Sequence, residues 1–153
     1  MAEIDFRPIL ESFAMQGGGL VEIYAFDTSL ADWQQVVERL RETNRVSSFE
    51  SDRNEPGVNI TGDTFTEDGD VHATLFVEVG EQTWWTSFHS PDCIDFQGDP
   101  GRATSLEDLS DIVEFMKEIA RITGKRVALI PESMTPRETK HFLSVSPDGN
   151  IET

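Results

Sequence analysis

Histidine, cysteine and aspartate side chains, which bind metals and transfer protons in many proteins, are concentrated at one place in this sequence. His89, Asp92, Cys93 and Asp95 stand within a stretch of seven residues, and His72 precedes them. Imidazole and thiolate groups are good ligands for Zn²⁺, and a histidine exchanges protons near neutral pH. These residue types therefore allow a metal site or a proton-transfer pair, if the fold brings His72 close to His89.

The pattern on either side of Gly80 predicts a β-hairpin. Apolar and polar residues alternate over residues 71–79, and a second strand, rich in aromatic residues, is expected over residues 83–89. Gly80 and Glu81 would form a two-residue type II′ turn, whose first position needs positive φ. A three-residue loop is the alternative, and it would move His89 to the other face.

With the two-residue turn, His72 lies opposite His89 on one face of the hairpin. If a metal binds there, we expect zinc held by His72 and His89, with Asp92 or Cys93 as a further ligand. The alternative is a solvated or hydrogen-bonded histidine pair. In that case no cofactor is predicted.

An aromatic pair shares this face, because the same register places Phe76 opposite Trp85. If the helices cover the other face, these two rings need a separate cover. Residues 4–13, a second copy of the chain or a partner protein could supply it. A pocket lined by the aromatic residues and the histidines is a further alternative.

Three other chemistries are weakly supported. A Cys93–His89 nucleophile pair would need hydrogen-bond contact and a third, orienting group. Residues 98–101 contain two glycines before a helix, but no lysine follows as in a phosphate-binding loop. The acids between residues 50 and 70 lack the spacing of a calcium loop.

Negative charge is the dominant property of the composition, and it is unevenly distributed. The formal charge is −17, and residues 51–100 contribute eleven acids against one base. Residues 101–153 are nearly balanced, with nine acids and seven bases. A field of this sign repels nucleic acids and anionic membrane surfaces, and it attracts basic proteins.

The densest acids are expected at an exposed turn. Glu67, Asp68 and Asp70 surround Gly69, and the Asp-Gly step is typical of a hairpin turn. We expect these carboxylates, together with Phe76 and Trp85, to form the binding surface for a basic partner. Reversing the three charges is the first mutation that the sequence suggests.

The whole sequence predicts one α+β domain over residues 1–153. Two amphipathic helices, capped by Ser29 and Ser105, are expected on one face of an antiparallel sheet of about five strands. A third cap is expected at Thr135. The remaining expectations are a short helical segment in residues 1–19, strands at 46–51, 58–65, 71–79 and 83–89, an irregular loop at 90–104, and a frayed tail at 146–153.

The cysteine content and the N-terminal residues indicate a cellular compartment. Cys93 is the single cysteine, so an internal disulfide is excluded, and this suits a reducing environment. Residues 1–5 show no secretory signal pattern, and the apolar runs are too short to span a membrane. We therefore expect a cytoplasmic protein.

These observations favour a non-catalytic acidic domain that binds a basic protein or associates with itself. In size and charge the chain resembles bacterial immunity proteins, which bind and block a toxin. That resemblance implies an inhibitor of a basic protein, and it assigns no individual residues. The alternative is an enzyme that binds a small molecule or a metal through His72, His89 and the loop at 92–95.

Overall fold

Three α-helices lie in the part of the chain that the structure describes. The computed structural model describes residues 4–15, 19–52, 58–66 and 69–153. The helices are α1 (Arg7–Ala14), α2 (Leu30–Glu42) and α3 (Leu106–Thr123). The two predicted helices are α2 and α3. The prediction of two helices is therefore incomplete, because the short segment in residues 1–19 forms a third.

Serine caps begin α2 and α3 as the sequence predicts. The Ser29 hydroxyl accepts a hydrogen bond from the backbone N–H of Asp32, whose carboxylate accepts one from the Ser29 N–H. Ser105 and Asp108 make the same reciprocal pair at α3. The helix then ends at Gly124, which has a φ of +69°, a conformation that glycine adopts without strain.

The strands form one antiparallel sheet, which is larger than the predicted five strands. Eight strands pair in the order β2-β3-β4-β5-β1-β6-β7-β8 in the described residues. Their bounds are β1 (Val21–Phe26), β2 (Val46–Ser51), β3 (Ala73–Val79), β4 (Gln82–Thr86), β5 (Cys93–Gly98), β6 (Val127–Pro131), β7 (Leu143–Val145) and β8 (Ile151–Glu152).

The expectation of an irregular loop over residues 90–104 is wrong, because β5 lies there at the centre of the sheet. It pairs with β1 over six residues, from Val21↔Gly98 to Phe26↔Cys93. Ile94 and Phe96 are the only large apolar residues on the buried side of β5. Two such residues make an alternation of apolar and polar positions that is too short to indicate a strand. Pairing with β1, which is distant in sequence, is what forms it.

Two other segments also differ from expectation. Residues 58–66 contain no strand, and Gly62–Thr64 form a 3-10 turn in which the Thr64 hydroxyl accepts a bond from the Thr61 N–H. The tail at 146–153 includes β8, which pairs with β7. Both segments were assigned from weak local patterns.

The two faces of the sheet differ in what covers them. Val21, Ile23 and Ala25 of β1 join one apolar core with the buried stripes of α2 and α3. Their alternate neighbours point the other way, because side chains alternate along a strand. Phe26, Phe76 and Trp85 lie on this second side and are outside the core cluster.

This second side is called the open face below, and its central residues are Glu22, Tyr24, Phe26, Phe76, Trp85, Cys93, Asp95 and Gln97. The segment expected to cover it does not. Ile9 and Phe13 of α1 pack into the core, and α1 contacts α3 and the turn at Pro100–Arg102. Phe76 and Trp85 remain half-buried.

None of the helices that the structure describes has the length and apolar character needed to cross a membrane.

Candidate functional site

The hairpin register is the predicted one. Val79 pairs with Gln82 and Phe76 with Trp85, so the connection has two residues. Gly80 has a φ of +60°, as a type II′ turn requires, while Glu81 does not have positive φ. A Cβ on Gly80 would lie 2.1 Å from Oδ2 of Asp111 in α3, so a larger residue here would also displace the Asp111 carboxylate.

The two histidines do not extend this ladder. Pairing between β3 and β4 stops at Leu75↔Thr86, and Phe88 then adopts a φ of +55°. His72 instead contacts Asp52, with 2.6 Å between Nδ1 and Oδ2. His89 contacts Asp95, with 2.9 Å between Nδ1 and Oδ2. Each histidine therefore has its own carboxylate partner.

The predicted zinc ligands are not brought together as a set. Asp92 and Cys93 lie near His89, and all three line one cavity, whereas His72 is not among its lining residues. In the described ranges no group of three or more histidine, cysteine, aspartate or glutamate side chains is arranged to hold a metal ion.

The loop that carries His89 is fixed from the helix side of the sheet. Phe88 is fully buried, with its ring centroid 5.0 Å from that of Trp33 in α2. The Trp33 indole N–H donates a 3.0 Å bond to the carbonyl of Ser90, and the Thr28 hydroxyl donates a 2.7 Å bond to that of Pro91. These contacts hold the backbone on both sides of His89 and turn its ring toward Asp95.

A cavity of about 420 Å³ lies beside the His89–Asp95 pair. Pairing of β1 with β5 brings Tyr24 opposite Asp95 and Phe26 opposite Cys93. All four residues line the cavity, with the rings of Tyr24 and Phe26 as its floor and Asp95 in the adjoining wall. The other wall is the segment 135–138. A volume of this size suits a small molecule or one large side chain.

The segment 135–138 is held to the sheet by Arg137. Its guanidinium lies 4.4 Å from the ring centroid of Phe26 and donates a 2.9 Å bond to Asp27. The predicted cap at Thr135 is not made, because its side chain accepts no capping bond, and only a 3-10 turn forms over Pro136–Glu138.

Asp95 is the most unusual residue of the cavity. It is 1% exposed, and its Oδ1 has no hydrogen-bond partner among the described residues. A buried carboxylate oxygen without a partner is destabilising, so such atoms are rare in folded proteins. Its position in the wall of a cavity indicates that a ligand donor could satisfy it.

Glu22 repeats this feature on the neighbouring strand. It is 4% exposed, and its Oε2 has no partner in the described chain. Its Oε1 accepts a 3.4 Å bond from the Gln97 amide, whose oxygen in turn accepts a 3.1 Å bond from the Trp85 indole. A polar chain therefore runs from Trp85 to a second buried carboxylate.

The pKa values around the cavity are shifted in one direction. The hydrogen bond between His89 and Asp95 raises the pKa of His89. Burial, together with the nearby Asp95, raises the pKa values of Tyr24 and Cys93, and burial raises that of Glu22. Every shift favours the protonated form, as expected where negative charge is buried.

This electrostatic environment argues against the nucleophile pair considered from the sequence. A thiol with a raised pKa stays protonated near neutral pH, and the thiolate is the nucleophilic form. His89 directs its Nδ1 to Asp95 rather than to Cys93. The geometry therefore does not support Cys93 and His89 as a nucleophile pair.

Sequence reasoning missed Glu22 and Tyr24 of this site. Both lie in residues 20–26, a mostly apolar stretch that Glu22 interrupts. An acid inside an apolar strand was a usable signal. Of the predicted acidic turn, Asp70 is exposed, while Glu67 and Asp68 lie outside the described residues.

Comparisons with protein-family models, curated proteins and solved structures find no match to this chain.

Proposed function

We propose that this protein is a non-catalytic interaction domain that binds a basic protein through the open face of its sheet. The observation that carries the proposal is the pair Phe76 and Trp85. Both rings stay half-buried on a face that no helix of the core cluster covers. Partly exposed aromatic residues are the side chains most enriched in protein interfaces.

The charges around these rings favour a basic partner. The register places Glu50 beside Thr74 and Glu78 beside Thr83, both on the open face. The basic residues Arg126 and Arg137 on this side already have acidic partners, Glu152 at 2.5 Å and Asp27 at 2.9 Å. A basic surface would meet apolar rings bordered by carboxylates, which favours both fast encounter and correct orientation.

Self-association through the same face is less favourable. A twofold contact centred on Phe76 and Trp85 would place the Glu50 and Glu78 carboxylates of both copies in one interface. Like charges at an interface oppose association. Inhibition of a basic toxin, as the size and charge suggest, is one form of the proposed activity.

A small-molecule site or an enzyme at the 420 Å³ cavity is the second candidate. The observation that favours it is the His89–Asp95 pair in the wall, which is a common arrangement for proton transfer. Zinc bound by His72, His89, Asp92 and Cys93 stays a hypothesis, which metal analysis of the purified protein tests.

The proposal is tested with immobilised wild-type chain and two variants in lysate of the source cells. Trp85→Ala removes the aromatic ring of the open face, and Leu106→Ala, at the start of α3, removes an exposed apolar side chain elsewhere. We expect wild type and Leu106→Ala to capture a basic protein, and Trp85→Ala to capture at least tenfold less of it. The captured protein should be released at about 0.5 M salt, because salt screens the attraction between opposite charges. Circular dichroism checks that each variant is folded.

Equal capture by Trp85→Ala and wild type would contradict the proposal, and so would a captured protein that is acidic. A variant in which Glu67, Asp68 and Asp70 are all changed to lysine distinguishes binding at the acidic turn from binding at the open face. Loss of capture in that variant alone would assign binding to the acidic turn instead of the open face.

A further inference from the structure

We propose that the cavity beside Asp95 receives the cationic head of a lysine or arginine side chain from the basic partner. This rests on the proposed function and adds to it a specific anchor. The juxtaposition that points to it is a buried carboxylate oxygen without a partner, in the wall of an open cavity, next to two aromatic rings.

Asp95 has one oxygen engaged and one available. Its Oδ2 bonds to His89 at 2.9 Å, which fixes the carboxylate in one orientation. Its Oδ1 has no partner among the described residues although the side chain is 2% exposed. An ammonium or guanidinium donor would supply the missing bond, and bonds between ionised groups are the strong ones.

The aromatic floor also suits a cation. The rings of Tyr24 and Phe26 are stacked, with their centroids 5.4 Å apart. Arg137 already lies over the Phe26 ring at 4.4 Å, so this surface accepts a guanidinium from the chain itself. The apolar part of a lysine or arginine side chain would lie along the same rings.

The charges at the cavity agree with this assignment. Three acids, Asp92, Asp95 and Glu138, line the cavity against two basic residues, His89 and Arg137. The guanidinium of Arg137 bonds to Asp27, which reduces its effect inside the cavity. The net field therefore attracts a cation and repels an anion.

The test uses probes that need no partner protein. The full-length chain, labelled with ¹⁵N, is titrated with n-butylguanidinium, n-butylammonium and n-butanol. We expect saturable shifts of the backbone signals of Phe26, Cys93 and Arg137 with both cations, and at least tenfold weaker binding of the neutral alcohol. Equal binding of the alcohol and the cations would overturn the proposal.

Two variants locate the site. Asp95→Asn keeps the shape of the side chain and removes its charge, and we expect at least a tenfold loss of cation affinity. Glu107→Gln removes one carboxylate in the first turn of α3, and we expect unchanged affinity. Unchanged affinity in Asp95→Asn would overturn the proposal. If that variant does not fold, Phe26→Leu replaces it, with an expected loss of at least threefold.

Capture of the basic protein then connects the cavity to the partner. We expect Asp95→Asn to capture at least tenfold less than wild type, as Trp85→Ala does. Normal capture by Asp95→Asn would overturn the inference and leave the proposed function standing. Conversely, probe binding at Asp95 with no capture by wild type would contradict the proposed function and would show that the cavity takes a free cation.

Discussion

At the scale of single residues, the His89–Asp95 pair combines a stabilising contact with the binding role proposed above. Asp95 is buried, and His89 is its one hydrogen-bonding side chain in the described part of the chain. The histidine therefore satisfies one oxygen of a buried carboxylate, while the other oxygen has no partner among the described residues. Residues at binding sites are often less well satisfied than residues of the core, because the ligand completes them.

The first prediction concerns His89. In His89→Ala, Oδ2 of Asp95 loses its partner and Oδ1 already lacks one, so we expect the free energy of unfolding to fall by about 2 kcal/mol near pH 6. His141→Ala, at an exposed histidine, is the matched control and should change little. Urea unfolding monitored by tryptophan fluorescence measures both. A His89→Ala chain as stable as His141→Ala would contradict this view of the pair.

The same variant has a defined pH dependence. Because folding raises the pKa of His89, protonation of this histidine stabilises the folded chain. That contribution is fully present below the unfolded pKa of about 6.5 and disappears as pH rises through the folded pKa. The stability difference between wild type and His89→Ala should therefore be largest below about pH 6.5 and should shrink as the pH rises above it.

At the scale of elements, β5 decides where the site lies. It pairs with β1 on one side and touches β4 through Trp85↔Gln97 on the other. That position carries Cys93, Asp95 and Gln97 onto the open face and Phe96 into the core. The candidate site therefore depends on a strand that the local sequence does not indicate.

The second prediction tests how closely β5 packs. A Cβ on Gly98 would lie 2.4 Å from Cε2 of the buried Trp84 ring, so one of the two must move. We expect Gly98→Ala to lower the free energy of unfolding by about 2 kcal/mol, in the range typical of overpacked cores. Gly62→Ala, where no atom lies within 4 Å of the added Cβ, is the control.

Thermal or urea unfolding compares these two glycine variants. The control should stay within about 0.5 kcal/mol of wild type, as surface substitutions usually do. A Gly98→Ala chain with the stability of Gly62→Ala would mean that the β5–β4 contact adjusts without cost.

At the scale of the whole molecule, charge limits stability. The chain has 29 acidic and 12 basic residues, so most carboxylates have no basic residue to neutralise them. Mutual repulsion among unneutralised charges of one sign opposes the compact state. An excess of charge of one sign favours solubility and the approach of oppositely charged proteins, and the proposed function uses this second effect.

The third prediction follows from this repulsion. Raising sodium chloride from about 0.02 to about 0.3 M shortens the screening length from roughly 20 Å to roughly 6 Å. We expect the melting temperature at pH 7 to rise by several degrees. Chloride is used rather than sulfate, because sulfate stabilises most proteins by exclusion from their surface. A melting temperature that falls with sodium chloride would show that attractive ion pairs outweigh the repulsion.

The local parts of this fold could be predicted from the sequence. Ser29, Ser105 and Gly124 mark helix ends through bonds to residues within one turn. Gly80 and the alternation after Val71 indicate a hairpin with a two-residue turn, and the structure selects this register over the three-residue alternative. The negative charge of residues 51–100 is a property of composition. All these features depend on neighbours in the chain, so the residue order alone determines them.

The tertiary structure decided what lies next to what across the sheet. Nothing near Asp95 in sequence indicates that Tyr24 faces it, since that contact exists only when β5 pairs with the distant β1. Likewise, His72 and His89 were expected together, yet Phe88 ends the strand by packing against Trp33, and each histidine binds a different carboxylate. The burial of Asp95 and Glu22 also depends on packing between residues that are distant in sequence, so the types of their neighbours in the chain do not indicate it.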